Sequence, residues 1–117
     1  MNKKQKFGRW GEDNAVEYLI NKGYAIIDRN FRTPYGEIDI IAKFEGVTVF
    51  VEVKTRSSRV FGYPEAALTR RKLNHMLACA EYYAAEKELE TWQNDAIAVE
   101  GIPGVTPRME HFENVTG

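Results

Sequence analysis

Val47, Val49, Val51 and Val53 put a valine at every second position of one short segment. Side chains alternate faces along a strand, so a period-two row makes one wholly apolar face, whereas a helix would spread the same row around its axis. The intervening residues Phe50, Glu52 and Lys54 fall on the other face. Glu37 to Ala42 repeats the design, with Ile38, Ile40 and Ala42 on one face and Glu37, Asp39 and Ile41 on the other. Between the two segments, Lys43-Phe44-Glu45-Gly46 has the length and the glycine of a hairpin loop.

The two apolar faces must pack on one core, which limits how the strands can be aligned. A four-residue loop closed by Ala42 and Val47 sets Glu37 opposite Glu52 and Asp39 opposite Phe50. A slip of two residues sets Asp39 opposite Glu52 instead. Either register gathers Glu37, Asp39, Glu52 and Lys54 at one end of a face whose other end, Ile41 and Phe50, is apolar. Opposed residues lie roughly 4.5–5.5 Å apart. Carboxylates that close repel, and neighbouring apolar surface raises their pKa further.

A divalent cation relieves both effects. Asp39 and Glu52 offer hard oxygen ligands, and carboxylates completed by waters are the usual surroundings of Mg²⁺. Lys54 would then orient a water or stabilise charge on a scissile phosphate. On a solvated strand the same residues form only an inert ladder of ion pairs, each worth under about 1 kcal/mol.

Around this hairpin, Gln5 to Asn21 predicts a helix with Ala15, Val16, Tyr18, Leu19 and Ile20 on its apolar side, ended by Gly23. Tyr24 to Ile27 predicts a first strand that continues less regularly through Phe31, and Thr33 to Gly36 a turn. After a loop from Ser57 to Tyr63, a helical pattern runs from Pro64 to about Glu90, with Thr69 able to restart it as a cap. Asp95 to Glu100 predicts a fourth strand and Arg108 to Val115 an edge strand. This order predicts an α/β fold, in which three strands form an antiparallel meander and a crossover helix brings the fourth parallel to the third.

With 117 residues, 44% of them apolar, one domain over residues 1–117 with one core is expected. The single Cys79 has no disulfide partner within the chain and suits a reducing compartment. The chain contains no apolar run long enough to span a bilayer, so a cytoplasmic location without membrane contact is expected.

Residues 1–72 carry 14 of the 16 Lys and Arg and a net charge of +5, and the remainder carries −6. Such a split can turn one positive face to a polyanion, although a pI near 6.1 excludes coating nucleic acid by charge alone. Arg56, Arg59, Arg70, Arg71 and Lys72 follow the third strand and open the long helix. They read either as phosphate contacts or as a solvated helix start. Phe7, Trp10 and Tyr63 suit packing better than base stacking, and His75 and His111 lack the spacing of a zinc site.

A helix followed by Glu37-Ile38-Asp39 on one strand and Glu52-Val53-Lys54 on the next resembles the restriction-endonuclease-like superfamily with its PD-(D/E)xK signature. Within it the chain resembles the YraN-like family of uncharacterised predicted nucleases. The matching segments are Gly8-Arg9-Trp10-Gly11-Glu12, Asn30-Phe31-Arg32, Gly36 to Ala42, and Phe50 to Arg56, with Phe61-Gly62, Lys72, Asp95 and His111 in step. No proline precedes the acidic strand residue, and Gln93-Asn94 stand before Asp95 in place of an arginine and an aromatic residue.

The resemblance implies an αβββαβ core, a mixed sheet with helices packed on it, and hydrolysis of phosphodiester bonds in DNA with Mg²⁺ or Mn²⁺. It makes Asp39 and Glu52 metal ligands, with the Val53 carbonyl as a third and Glu37 in support. It makes Lys54 the catalytic lysine and Glu12 the helix glutamate. The chain is also similar to archaeal Holliday-junction resolvases, which points to branched or single-stranded DNA. A homodimer would widen the few contacts that so small a chain can make. The alternative is a module of the same fold that binds nucleic acid without cutting it.

Overall fold

The computed structural model describes residues 1–58 and 62–117, so Arg59 and Phe61 lie outside the described residues. Helix α1 spans Lys3–Asn21, strands β1, β2 and β3 span Ala25–Thr33, Gly36–Phe44 and Val47–Arg56, and helix α2 spans Arg70–Glu86. Strands β4, Trp92–Glu100, and β5, Arg108–Phe112, complete one sheet in the order β1-β2-β3-β4-β5. The β3–β4 pair is parallel and the other three are antiparallel. The αβββαβ order and the mixed sheet are as expected, and β5 adds the edge strand. Among the described residues no helix is long and apolar enough to cross a membrane.

Local chemistry explains where the elements end. The side chain of Asn2 accepts from the Gln5 N–H while the Gln5 side chain accepts from the Asn2 N–H, a capping box that starts α1 before Gln5. The long helical pattern after Pro64 divides. Residues Pro64–Ala67 form one 3-10 turn, and Thr69 accepts from the Lys72 N–H to cap α2.

The hairpin loop is shorter than expected. Phe44 pairs with Val47, and only Glu45 and Gly46, at φ 49° and 81°, form the turn. Two consecutive left-handed residues match the twist of the flanking strands, which is why this turn displaces the four-residue loop. The resulting register, Ile40 with Val51 and Ile41 with Phe50, is the one that slips Asp39 towards Glu52.

Each face of the sheet carries one helix. Ala15 and Leu19 of α1 pack with Ile40, Ala42, Val49, Val51, Ile97 and Val99. Cys79, Ala80 and Tyr83 of α2 pack with Ile41, Phe50 and Ile38. Burial of each large apolar side chain contributes about 1.5–3 kcal/mol. Ile38 was expected beside Ile40 but lies on the α2 face, so the alternation of β2 breaks between them. Phe31 of β1 also packs on the α2 face and pairs with Ile38. In the stretch from Asp28–Ile41 to Thr33–Gly36, the one pairing missing from the β1–β2 register is Asn30 with Asp39. Asn30 sits at φ 52°, a left-handed conformation that asparagine tolerates better than most residues.

Helix α1 packs tightly on β3 at Gly11. A methyl group there would meet Thr55 Oγ1 at 1.9 Å and Thr55 Cγ2 at 2.6 Å. Gly11→Ala should therefore lower stability by roughly 1–3 kcal/mol through overpacking, despite the better helix propensity of alanine. Urea unfolding of the two proteins checks this, and an unchanged midpoint would show that α1 can shift freely on β3.

Candidate functional site

The β2–β3 ladder ends at Ile40–Val51. Continuing the register would oppose Asp39 to Glu52 and Ile38 to Val53. Instead, Asp39 Oδ2 accepts the Val53 N–H at 2.8 Å, so a side chain stands in for the ladder partner. Asp39 Oδ1 takes no hydrogen bond from the described residues. Asp39 opens on a groove of about 530 Å³ on the α1 side, which Glu12, Asn30, Val53 and Lys54 also line. Glu52 opens on a hollow of about 270 Å³ on the α2 side, together with Val53, Lys54 and Lys72. The two carboxylates thus flank the Val53-Lys54 end of β3 from opposite sides rather than sharing one face.

They remain electrostatically close. Burial first, and the Glu52 charge second, push Asp39 up from 3.8 to about 7, against the Val53 N–H and the Lys72 ammonium, which pull it down. Glu52 itself is met by Lys72, whose Nζ lies 2.5 Å from Oε1. Lys72 therefore stands beside Glu52, the nearest to this site of the basic residues that open α2. Lys54 is exposed, borders both hollows and has no partner among the described residues.

Two residues that sequence reasoning did not single out as site residues organise the acidic side of the groove. Arg29 donates from Nε and Nη2 to Glu12 Oε1, at 3.1 and 3.0 Å, and from Nη2 to Asp13 at 2.6 Å. Asn30 Nδ2 donates to Glu12 Oε2 at 2.9 Å and to Glu37 Oε1 at 3.1 Å. Glu12 is thereby held beside Asp39, whose pKa responds to its charge. Glu37 is drawn to the rim, where its other oxygen lies 3.6 Å from Arg32. The available signal was an asparagine and an arginine inside a strand, since asparagine is depleted there.

The remaining predicted positions divide. Arg70 and Arg71 are exposed at the start of α2. Arg56 is engaged by the Gly62 carbonyl at 2.5 Å and lies 3.8 Å from Glu100, with its side chain only 18% exposed. Asp95 is fully buried and accepts from Gln93, His111 and the Asn114 N–H at 2.9, 2.8 and 2.9 Å. His111 Nδ1 meets Lys22 Nζ at 2.9 Å, which a ring protonated on Nε2 satisfies at both ends. This cluster ties β4 and β5 to the end of α1 and is complete in itself.

Among the described residues no group of three or more His, Cys, Asp or Glu is arranged to hold a metal ion. A pair of carboxylates suffices for Mg²⁺, which dehydrates reluctantly and keeps several waters. The donor chemistry fits such an ion: Asp39 has an oxygen with no described partner, and the Glu52 charge adds to the burial that raises its pKa.

Residues 11–99 match the profile of the family described as Uncharacterised protein family UPF0102. A UPF0102 protein of Syntrophotalea carbinolica is 46% identical over 107 residues, covering 90% of this chain and 86% of its own length. One from Trichlorobacter lovleyi is 42% identical over 113 residues, 94% and 89% of the two chains. One from Thermus thermophilus is 40% identical over 105 residues, 90% and 92% of the two chains. The chain belongs to the UPF0102 family.

Two measurements test this geometry. Asp39 binds its proton in the folded protein up to about pH 7 but only up to about 3.8 when unfolded, so its contribution to stability is present below the lower value and is lost as pH rises through the upper one. Asp39→Asn keeps an oxygen for the Val53 N–H and cannot ionise. It should flatten that fall and stabilise the metal-free protein by roughly 1–3 kcal/mol at about pH 8. A wild-type slope of stability against pH in the variant would refute the assignment. Asn30→Val should cost roughly 1–3 kcal/mol, because a β-branched residue is strained at positive φ. Asn30→Gly should keep the backbone turn and lose only the hydrogen bonds, and equal losses in both variants would show that the φ is not constrained.

Proposed function

We propose that this member of the UPF0102 family is a metal-dependent nuclease that hydrolyses phosphodiester bonds in DNA, with branched or single-stranded DNA as substrate. The observation that carries the reading is the state of Asp39. It is a half-buried carboxylate pushed up to about 7 by burial and by Glu52, with one oxygen unused by the described residues and beside it a lysine, Lys54, that has no partner among them. Perturbed groups of this kind cluster where chemistry is done.

Asp39 and Glu52 are the residues that would hold Mg²⁺ or Mn²⁺, with the Val53 carbonyl between them and Glu37 at the rim. The ion would supply Lewis-acid chemistry, polarising a phosphoryl oxygen and lowering the pKa of a water. Lys54, free of partners among the described residues, donates to the phosphate and stabilises the charge that builds on it. Lys72 balances Glu52, so the site does not accumulate the full charge of two carboxylates. Glu12, fixed by Arg29 and Asn30, sets the far wall of the groove. In the overall reaction a water oxygen bonds to phosphorus, one P–O ester bond breaks, and the departing oxygen takes up a proton.

Binding is supported by where the cations lie. Residues of the first turns of α1, Lys4, Gln5 and Phe7, line the groove with Asp39 and Lys54, and Lys72 in the first turn of α2 reaches Glu52. Lys3, Lys4, Lys6 and Arg9 on one side, and Arg70 and Arg71 on the other, are exposed. Helix N-termini and basic side chains together favour phosphate. The Lys72–Glu52 ion pair favours a second reading, a module that binds nucleic acid without cutting, because it leaves Glu52 already neutralised.

Incubation of linear, single-stranded and branched DNA with Mg²⁺ or Mn²⁺ separates the two. Asp39→Ala and Lys54→Ala should each lose cleavage by roughly a hundredfold or more while remaining folded. Calorimetry should register metal binding in the wild type and none in an Asp39→Ala/Glu52→Ala protein. Cleavage retained by both single variants would sink the nuclease reading, and salt-sensitive DNA binding without metal-dependent turnover would leave the binding module.

A further inference from the structure

Beside Glu52, on the α2 face, a hollow is left over the sheet in a way that follows from the sequence of β4. Along Ala96-Ile97-Ala98-Val99 the two β-branched residues face α1 and fill that core, and the two alanines face the other way. Parallel pairing sets Ala96 beside Glu52 and Ala98 beside Lys54. Helix α2 reaches this region only with its first turn, through Lys72, and the short turn Pro64–Ala67 with Leu68 closes the side. Phe112, paired with Ala96, stands opposite. The result is the hollow of about 270 Å³, with alanines for a floor, Pro64, Leu68 and Phe112 for walls, and Lys54, Lys72 and Glu52 at the rim.

We infer that this hollow receives one unstacked base of a DNA strand, whose adjoining phosphate meets Lys54 and Lys72; the inference rests on the nuclease reading. An apolar floor and an aromatic wall suit a flat ring system, and each base taken from water onto such surfaces gains stacking energy. The volume lies below the roughly 300–1,000 Å³ of sites that enclose drug-sized ligands, so it suits a single compact group. The ammonium groups at the rim suit the phosphate attached to that group and exclude a purely apolar occupant. A base inside a duplex cannot enter without being extruded, at the cost of its pairing and stacking. The hollow therefore selects single strands, flaps and junctions over intact duplex, and it gives the preference a physical origin separate from the carboxylates.

Affinity for single-stranded oligothymidylate, and for an equally long strand of abasic deoxyribose phosphates, isolates the contribution of the bases, because the two carry the same charge. Fluorescence anisotropy with Ca²⁺ in place of Mg²⁺ reads it without cleavage. The wild type should prefer the thymidylate strand on the order of tenfold. Ala98→Leu, which fills the floor, and Ala67→Trp, which fills the hollow from its half-exposed rim, should lose most of that preference while binding the abasic strand as before. The second variant decides the matter if the first fails to fold. Wild-type preference kept in a folded filled variant, or absent in the wild type, overturns the base pocket while Asp39-dependent cleavage upholds the nuclease. Failure of the wild type to bind or cut any single strand overturns both.

Discussion

Asn30 adopts φ 52° in the middle of β1, opposite Asp39 in β2, and the pleat of both strands reverses at that pair. Had β2 kept its alternation, Asp39 would have joined Ile41 and Phe50 in the core under α2, and Ile38 would have faced α1. A carboxylate beside Phe50 and Tyr83 would be desolvated without a donor, which costs several kcal/mol at the order-of-magnitude level. The reversal exchanges the two: Ile38 enters the aromatic cluster, and Asp39 turns to the groove where the Val53 N–H meets it. One left-handed residue thus serves the core and the site together. The Asn30 side chain then joins the two ends by donating to Glu12 and Glu37.

Charge is arranged around that irregularity in pairs that are unequal by design of the sequence. Glu12 has Arg29 and Asn30, and Glu52 has Lys72, but Asp39 has one backbone N–H. Arg29 is itself driven further towards its charged form, chiefly by its hydrogen bond to Asp13. The outer carboxylates are therefore matched by fixed cations, whereas Asp39 is raised chiefly by burial and then by the Glu52 charge.

Much of this was legible in the sequence. The valine row fixed the faces of β3, the crossover length implied a parallel β4, and the two candidate registers differed only in the turn. Glu45-Gly46 chose between them, because two residues at positive φ make a tighter hairpin than four loop residues. The pleat reversal was not legible, because sorting β2 into faces assumes an unbroken period of two. Asn30 was the residue that broke the assumption, and in the sequence it stood only as part of a matching motif. Arg56 shows the complementary limit. Its place after Glu52-Val53-Lys54 does not reveal that its guanidinium donates to the Gly62 carbonyl and lies near Glu100.

Asp95 and Asp39 make the clearest contrast in the molecule. Both are carboxylates on central strands, and Asp95 is the more deeply buried of the two. Asp95 accepts from Gln93, His111 and the Asn114 N–H, and the histidine is held in turn by Lys22. A buried polar group satisfied on every side rigidifies the structure around it and offers nothing to a ligand. Asp39 has less burial but fewer donors, a second carboxylate nearby and an open groove in front. Depth of burial alone would rank the two in the wrong order as candidate sites. What separates an anchor from a candidate ligand site is the number of acceptor positions left unfilled, and by that measure Asp39, not Asp95, has room for a further partner.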